Sequence, residues 1–229
     1  MAVIECGQEE ILSILLHQMK HHWIDIDEKI IRSAIPGAIK AVGDNFIGLP
    51  NKRFFCDGRV QFSPYMSVQW MIFLYRLSHQ IYKTNGTVTP KEADQIYYLN
   101  KIMHSNDWFY AVDLPIHFLC EHPLGSVLGR AQYGDYLFVY QGTTVGGNRK
   151  NGVLTYPQIG TNVVLFANAT VLGSTVIGDN VVISAGTQIV NDIIPDNCIV
   201  FGKSPDLVIK EKPEKEIKRY TQHIWGWEI

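Results

Sequence analysis

His122 is the residue in this chain best suited to take up a proton near neutral pH. Histidine is the side chain whose ordinary titration range spans neutral pH. It lies beside an acidic residue and ahead of a turn, in Glu121-His122-Pro123-Leu124-Gly125. A base of this kind works best when a carboxylate orients its second ring nitrogen, and Asp113 and Glu121 are the candidates. Attack of a hydroxyl on a carbonyl also needs a hydrogen-bond donor for the oxyanion that forms. Tyr156 can be that donor. Arg149 and Lys150, in the same stretch, Gly146 to Gln158, offer positive charge. Other chemistries leave no trace. There is no Gly-x-x-x-x-Gly-Lys-Ser/Thr loop and no dinucleotide fingerprint, which argues against ATP and NAD. No His/Cys cluster suggests a catalytic metal.

The elements that must position these residues come from a repeat. Ile159, Leu165, Val171, Ile177, Ile183 and Ile189 are all aliphatic and recur every six residues. Small or β-branched residues precede most of the anchors by two: Val163, Ala169, Thr175, Val181 and Thr187. A period of six is the mark of a hexapeptide solenoid, in which each unit is one short strand and one corner of a triangular prism. An evenly spaced β-sandwich would need turns too short for hairpins. Gly160, Gly173, Gly178 and Gly186 fall where tight corners are needed. Upstream, Val127, Tyr133, Val139 and Val145 extend the spacing, with Ala131, Leu137 and Thr143 at the corner position. The gap from Val145 to Ile159 is fourteen, so one coil carries an inserted loop, GGNRKNGVLTYPQ. Loops that leave a solenoid without breaking its register are a usual place for function.

The first half reads as helical. Residues 2 to about 43 carry an apolar face, Ile4, Ile11, Leu12, Leu15, Leu16 and Met19, resumed by Ile24 to Ile35 after a break near His21-His22-Trp23. Pro36 predicts a helix start or a kink. Phe54 to Phe62 is loop or short extended chain around the Asp57-Gly58 turn. Ser63-Pro64 and Thr89-Pro90 each predict a helix start, with the hydroxyl residue as N-cap and proline at N1. The resulting fold is α+β: a helical domain over 1–112, a hexapeptide β-solenoid over 113–208 with a projecting loop, and a charged C-terminal helix or tail over 209–229.

With 46% hydrophobic and 18% charged residues, the 229-residue chain has the balance of a soluble globular protein. A net charge of −2 argues against a nucleic-acid surface. The four cysteines, Cys6, Cys56, Cys120 and Cys198, have no metal spacing and read as free thiols in a reducing compartment. The start MAVIECGQEE is acidic where a signal peptide would be basic. The longest apolar run, Trp70 to Tyr75, is too short to span a bilayer. The expectation is a cytoplasmic protein with no membrane partner.

Several stretches together resemble the serine acetyltransferases, within the hexapeptide-repeat acyltransferase superfamily. They are Tyr75-Arg76-Leu77-Ser78-His79 with Asn85-Gly86, Glu121-His122-Pro123-Leu124-Gly125, and Gln141-Gly142-Thr143-Thr144-Val145-Gly146-Gly147. Tyr156-Pro157-Gln158-Ile159-Gly160, Ile183-Ser184-Ala185-Gly186-Thr187 and Phe201-Gly202-Lys203-Ser204-Pro205 continue the resemblance, which covers about residues 60 to 210. The resemblance implies acetyl transfer from acetyl-CoA to a hydroxyl of L-serine or a serine-like acceptor, with His122 as general base. It implies that Gly146, Gly147, Ala167, Ala185 and Gly202 line the path of the pantetheine arm, with Lys203 near a CoA phosphate. It points to Asp57 and Arg76 as acceptor-binding groups of the helical domain. It further implies that the solenoid is a left-handed parallel β-helix, in a homotrimer or a dimer of trimers with an active site shared between subunits. Contact with cysteine synthase through the terminal Ile229, and a place in cysteine biosynthesis, follow from the same likeness.

The chain also departs from that pattern. Val112-Asp113-Leu114-Pro115-Ile116-His117 looks like the family's Val-Asp-Ile-His stretch, but Asp113 is about one coil too close to His122. Glu121 stands where the family has Asp. Thr155-Tyr156 replaces an Arg-His pair, and losing the guanidinium removes a bidentate grip on a carboxylate. Arg149 is then a candidate replacement. A sugar or nucleotide sugar in surface polysaccharide synthesis is the alternative acceptor. A non-catalytic solenoid serving as an assembly subunit is the alternative from another class.

Overall fold

The computed structural model describes residues 7–85 and 89–228, so Ile4, Cys6, Gly86 and Ile229, all invoked above, lie outside the described residues. The chain divides into two compact units, one comprising 1–105 with 109–111 and the other 106–108 with 112–229.

The first unit is built on helices α1 (Gln8–Lys20), α2 (Glu28–Phe46), α3 (Ser67–Thr84) and α4 (Lys91–His104). The apolar stripe expected on α1 is its buried face, Ile11, Leu12, Leu15, Leu16 and Met19; on α2 the expected Ile31 and Ile35 are buried, joined by Ala38, Val42 and Phe46, whereas Ile24 precedes the helix and is fully exposed, and Ile26 and Ile30 are only half-buried. Helix α3 is buried nearly all round, from Gln69 to Ser78, as the central element packed by α2 and α4. Pro36 does not start a helix. It lies inside α2, whose true start is Asp27, with Asp27 Oδ1 accepting from Lys29 N at 2.9 Å. The expected Ser63 cap is also displaced. Helix α3 begins four residues later with Met66 at the N-cap, while Ser63 Oγ accepts from Tyr65 N in the preceding turn. Pro90 rather than Thr89 occupies the N-cap of α4. Between α2 and α3, Phe55–Cys56 and Arg59–Val60 form a small hairpin on Asp57-Gly58. Both turn residues have positive φ, 52° and 72°, as a type I′ turn requires.

The second unit is a parallel β-solenoid. One face stacks strands Asp107–Trp108, Val127–Leu128, Thr144–Gly146, Thr170–Leu172 and Gln188–Val190. A second stacks Phe118–Cys120, Leu137–Val139, Val163–Leu165, Val181–Ile183 and Cys198–Lys203. The third stacks Gln132–Tyr133, Gln158–Ile159, Val176–Ile177 and Ile193–Ile194. The six anchors from Ile159 to Ile189 are each at most 4% exposed. Each contributes about 1.5–3 kcal/mol of burial relative to exposure.

The register corrects the upstream extension at one point. Leu128, not Val127, pairs with Val145, and Trp108 pairs with Leu128, so the inward column at this coil slips by one residue. Leu128 and the next inward residue, Tyr133, are five residues apart, so the corner between their strands is one residue shorter than the period of six. The same effect recurs where Ile194, five residues after Ile189, pairs with Ile177.

Corner chemistry follows two patterns. Asn162, Asn180 and Asn197 take positive φ of 55° each and form an amide ladder, Asn162 Nδ2 to Asn180 Oδ1 at 2.9 Å and Asn180 Nδ2 to Asn197 Oδ1 at 3.1 Å. In the coil below, Tyr136 takes the asparagine position at φ 60° and stacks on His117 at 4.6 Å. Helix α5 (Glu214–Trp225) is the expected charged C-terminal helix; its Trp225, with Trp227 beyond it, packs edge-on against Tyr136. Glycine is needed for two different reasons. Gly173 and Gly186 have positive φ, whereas Gly160 does not. A Cβ on Gly160 would instead lie 2.5 Å from Gly178 O, so the need there is space. The inserted loop is an antiparallel hairpin, Asn148–Lys150 with Val153–Thr155, closed by Asn151-Gly152.

Candidate active site

His122 is held on a corner between two faces of the solenoid. The buried strand Phe118–Cys120 delivers the chain, and Glu121 N donates to Val139 O of the next coil at 3.1 Å. His122 itself is left-handed, φ 48°, a conformation in which His is enriched among non-glycine residues. Leu124 N donates back to His122 O at 2.8 Å and closes the turn. The imidazole is thereby turned outward, with its side chain 80% exposed and Nε2 4.0 Å from Glu121 Oε1.

Glu121 is not merely a solvated carboxylate. It accepts a hydrogen bond from the Tyr140 hydroxyl. Tyr140 in turn stacks on Phe166 with centroids 4.9 Å apart and planes 8° from parallel. Burial first, then the bond to Glu121, pushes the Tyr140 hydroxyl up to about 12. Tyr140 escapes a reading from motifs because its only sequence signal is an aromatic corner residue, matched one coil on by Phe166. Its titration is checkable. The folded chain keeps this hydroxyl protonated up to about pH 12, whereas an unfolded chain releases it near 10. The stability it contributes is complete below pH 10 and is lost as pH rises toward 12. Absorbance titration at 295 nm should lose one late-titrating phenol in Tyr140→Phe.

The other proposed carboxylate, Asp113, is exposed in the segment leading to Phe118. Asp107, which motif matching passed over, is half-buried on the coil stacked beneath Val127, and its N–H donates to Ser126 O at 2.8 Å, at the end of the His122 turn.

Tyr156 lies on a different edge. His122 sits where the second face passes to the first, and Tyr156 where the inserted hairpin rejoins the third. One chain does not bring the two together. The Tyr156 ring covers Gly147, where a Cβ would come within 2.9 Å of it. Beside it opens a cleft of about 430 Å³ lined by Tyr156, Thr155, Gln158, Gln132, Ser174 and Arg130, among others. Arg149 is not in this lining; its Nη1 donates to Gly152 O at 3.3 Å across the hairpin tip.

The residues expected along a pantetheine arm separate in the same way. Ala167 and Ala185 stack on the His122 edge, where Gly186 N donates to Ala167 O at 2.8 Å and Gly142 N to Leu124 O at 2.9 Å. Gly202 and Lys203 end the top strand, both exposed. Gly146 and Gly147 adjoin the Tyr156 edge. In the first unit, Asp57 is exposed at its hairpin tip, while Arg76 is 7% exposed with its guanidinium over the Tyr75 ring at 5.6 Å. Cys56, Cys120 and Cys198 are free thiols, and burial pushes the Cys120 thiol well above the ordinary range. Among the described residues no group of acidic, His and Cys side chains is placed to hold a metal ion, and no helix is long and apolar enough to cross a membrane.

Three stacked faces, aliphatic anchors every six residues and a hairpin spliced into one coil define a hexapeptide-repeat β-helix. A family model described as bacterial transferase hexapeptide (six repeats) matches residues 156–191. The chain is similar in sequence to serine acetyltransferases: 33% identical over 129 residues to that of Synechococcus elongatus and 28% over 160 residues to that of Bacillus pumilus. These matches cover 56% and 66% of this chain, and 51% and 68% of the relatives; the chain thus spans about half the length of the Synechococcus protein. In fold it is similar to the serine acetyltransferase of Neisseria gonorrhoeae solved in complex with serine, with TM-score 0.62, 22% identity, and coverage of 87% of this chain and 89% of that one. The serine acetyltransferase of Brucella abortus solved in complex with coenzyme A gives TM-score 0.62 at 20% identity, covering 90% and 83%.

Proposed function

We propose that this chain is an acyltransferase that moves the acetyl group of acetyl-CoA to the hydroxyl of L-serine or a serine-like acceptor. The observation that carries the proposal is His122, held on a left-handed corner with its ring free to meet a substrate and its acidic neighbour tethered by Tyr140. His122 Nε2 takes the proton of the acceptor hydroxyl as the oxygen attacks the thioester carbonyl. The tetrahedral intermediate collapses, the C–S bond breaks, and the imidazolium returns the proton to the departing thiolate. Likeness to proteins named serine acetyltransferase, among them structures with serine and with coenzyme A, supports the choice of both substrates.

Tyr156 is the proposed donor to the oxyanion or to the acceptor. Because His122 and Tyr156 lie on different edges of one prism, the complete site is assembled from two copies, with coenzyme A in the groove between them. A trimer is the smallest ring closed by head-to-tail contacts, in which each copy offers its His122 edge to one neighbour and its Tyr156 edge to the other.

The test is thiol release from acetyl-CoA with L-serine set beside a panel of sugars and nucleotide sugars. Turnover is expected with serine. Release with sugars alone would assign the Thr155-Tyr156 cleft to an acceptor without an α-carboxylate. No release with any acceptor would leave a non-catalytic solenoid.

A further inference from the structure

The cleft beside Tyr156 holds a cation that no motif marked. Strand pairing places Gln132 opposite Gln158 and Gln158 opposite Val176. Counting back two residues on each rung, Arg130, Tyr156 and Ser174 are successive members of one column, about 4.8 Å apart along the stack. All three line the cleft. Arg130 is exposed, and among the described residues it makes no hydrogen bond or ion pair.

The backbone around it is nevertheless fixed on both sides. Gly129 N donates to Val145 O and the Tyr133 hydroxyl donates to Gly129 O, each at 2.8 Å, while Gln132 N donates to Pro157 O at 2.9 Å. Gly129 lies so close to the next coil that a Cβ there would be 2.7 Å from Val145 O. The guanidinium is therefore launched from a rigid corner into a cleft whose other polar groups, Tyr156, Thr155, Gln158 and Ser174, are neutral. One unpaired planar cation among neutral hydrogen-bonding groups suits a small anion that also carries donors and acceptors.

We propose that Arg130 binds the α-carboxylate of the hydroxy-amino-acid acceptor, one rung from Tyr156, and so sets the specificity for an amino acid over an uncharged alcohol. The proposal rests on the acetyl-transfer reading and deepens it. A bidentate guanidinium–carboxylate pair is stronger than a neutral hydrogen bond. Arg130→Gln should therefore raise KM for L-serine by about 10- to 100-fold, with little change in KM for acetyl-CoA. Arg130→Lys should fall between, because an ammonium keeps the charge but not the fork. The preference of the wild type for L-serine over L-serinamide, which lacks the carboxylate, should collapse in Arg130→Gln. As Arg130 is exposed and unpartnered, melting temperature should not move. A wild type active on serine whose Arg130→Gln variant keeps both its KM and its preference would overturn this inference alone. A wild type that acetylates only acceptors without a carboxylate would overturn the acceptor reading and this inference together.

Discussion

His122→Ala is expected to lower kcat/KM for acetyl transfer by about 10²- to 10⁴-fold, the range a positioned general base contributes. Nothing else should change much. The imidazole is mostly exposed and its one charged neighbour is 4.0 Å away, so neither a packed group nor a strong hydrogen bond is lost. Melting temperature and coenzyme A affinity should stay near wild type. Glu121→Gln should have a smaller effect, because it keeps the Tyr140 hydrogen bond while removing the charge that favours imidazolium. The informative measurement is kcat/KM for wild type, Glu121→Gln and His122→Ala side by side, with the glutamine variant expected between the other two. An unimpaired His122→Ala enzyme would show that the proton leaves by another route.

Gly160→Ala should be among the most damaging single-methyl changes in the solenoid, costing about 3 kcal/mol or more, the upper end for overpacking. The added Cβ would meet Gly178 O at 2.5 Å and Asp179 Oδ1 at 2.6 Å. The first of these is backbone of the adjoining rung, which cannot rotate away. Relief requires prising two coils apart, against Gly160 N donating to Ile177 O at 2.9 Å. At Gly186 the alanine would find open space, leaving only the strain of φ 72°, about 1–2 kcal/mol. Chemical denaturation of the two variants would separate the effects; equal losses would mean that steric contact between rungs does not govern this edge.

How much of this was legible beforehand depends on whether a residue's role was local. The run from Ile159 to Ile189 was readable because an inward column repeats whenever coils have equal length. The same logic failed at Val127, where a corner one residue shorter than the period put Leu128 into the column. Corner length is set by how the chain turns, not by what it buries. Ser63 was a sound cap by type, yet the helix began after it, and the Ser63 hydroxyl oxygen accepts from Tyr65 N in the preceding turn at 3.3 Å. In the site, His122 and Tyr156 stood out through their motifs. Tyr140 and Arg130 did not, because the residues that give each its setting, Glu121 and Tyr156, lie in a neighbouring coil. Pairing Arg130 with Tyr156 requires knowing that a hairpin of unknown shape leaves the register intact across residues 147–157.

The last strand carries a consequence of another kind. Asp206–Glu211 folds back antiparallel along Cys198–Lys203, pairing at every position from Cys198 with Glu211 to Lys203 with Asp206. Every earlier rung is parallel and could, by the same hydrogen bonds, template another. A prism that stopped at Lys203 would present an open edge of the kind on which filaments grow. Reversing direction ends that growth rule, since the outer edge of the reversed strand no longer matches the first rung of a second molecule. It also places Lys210 and Glu211 on that border, and charge on an edge strand opposes stacking. The reversal thus works as a terminator, keeping a repeating fold finite.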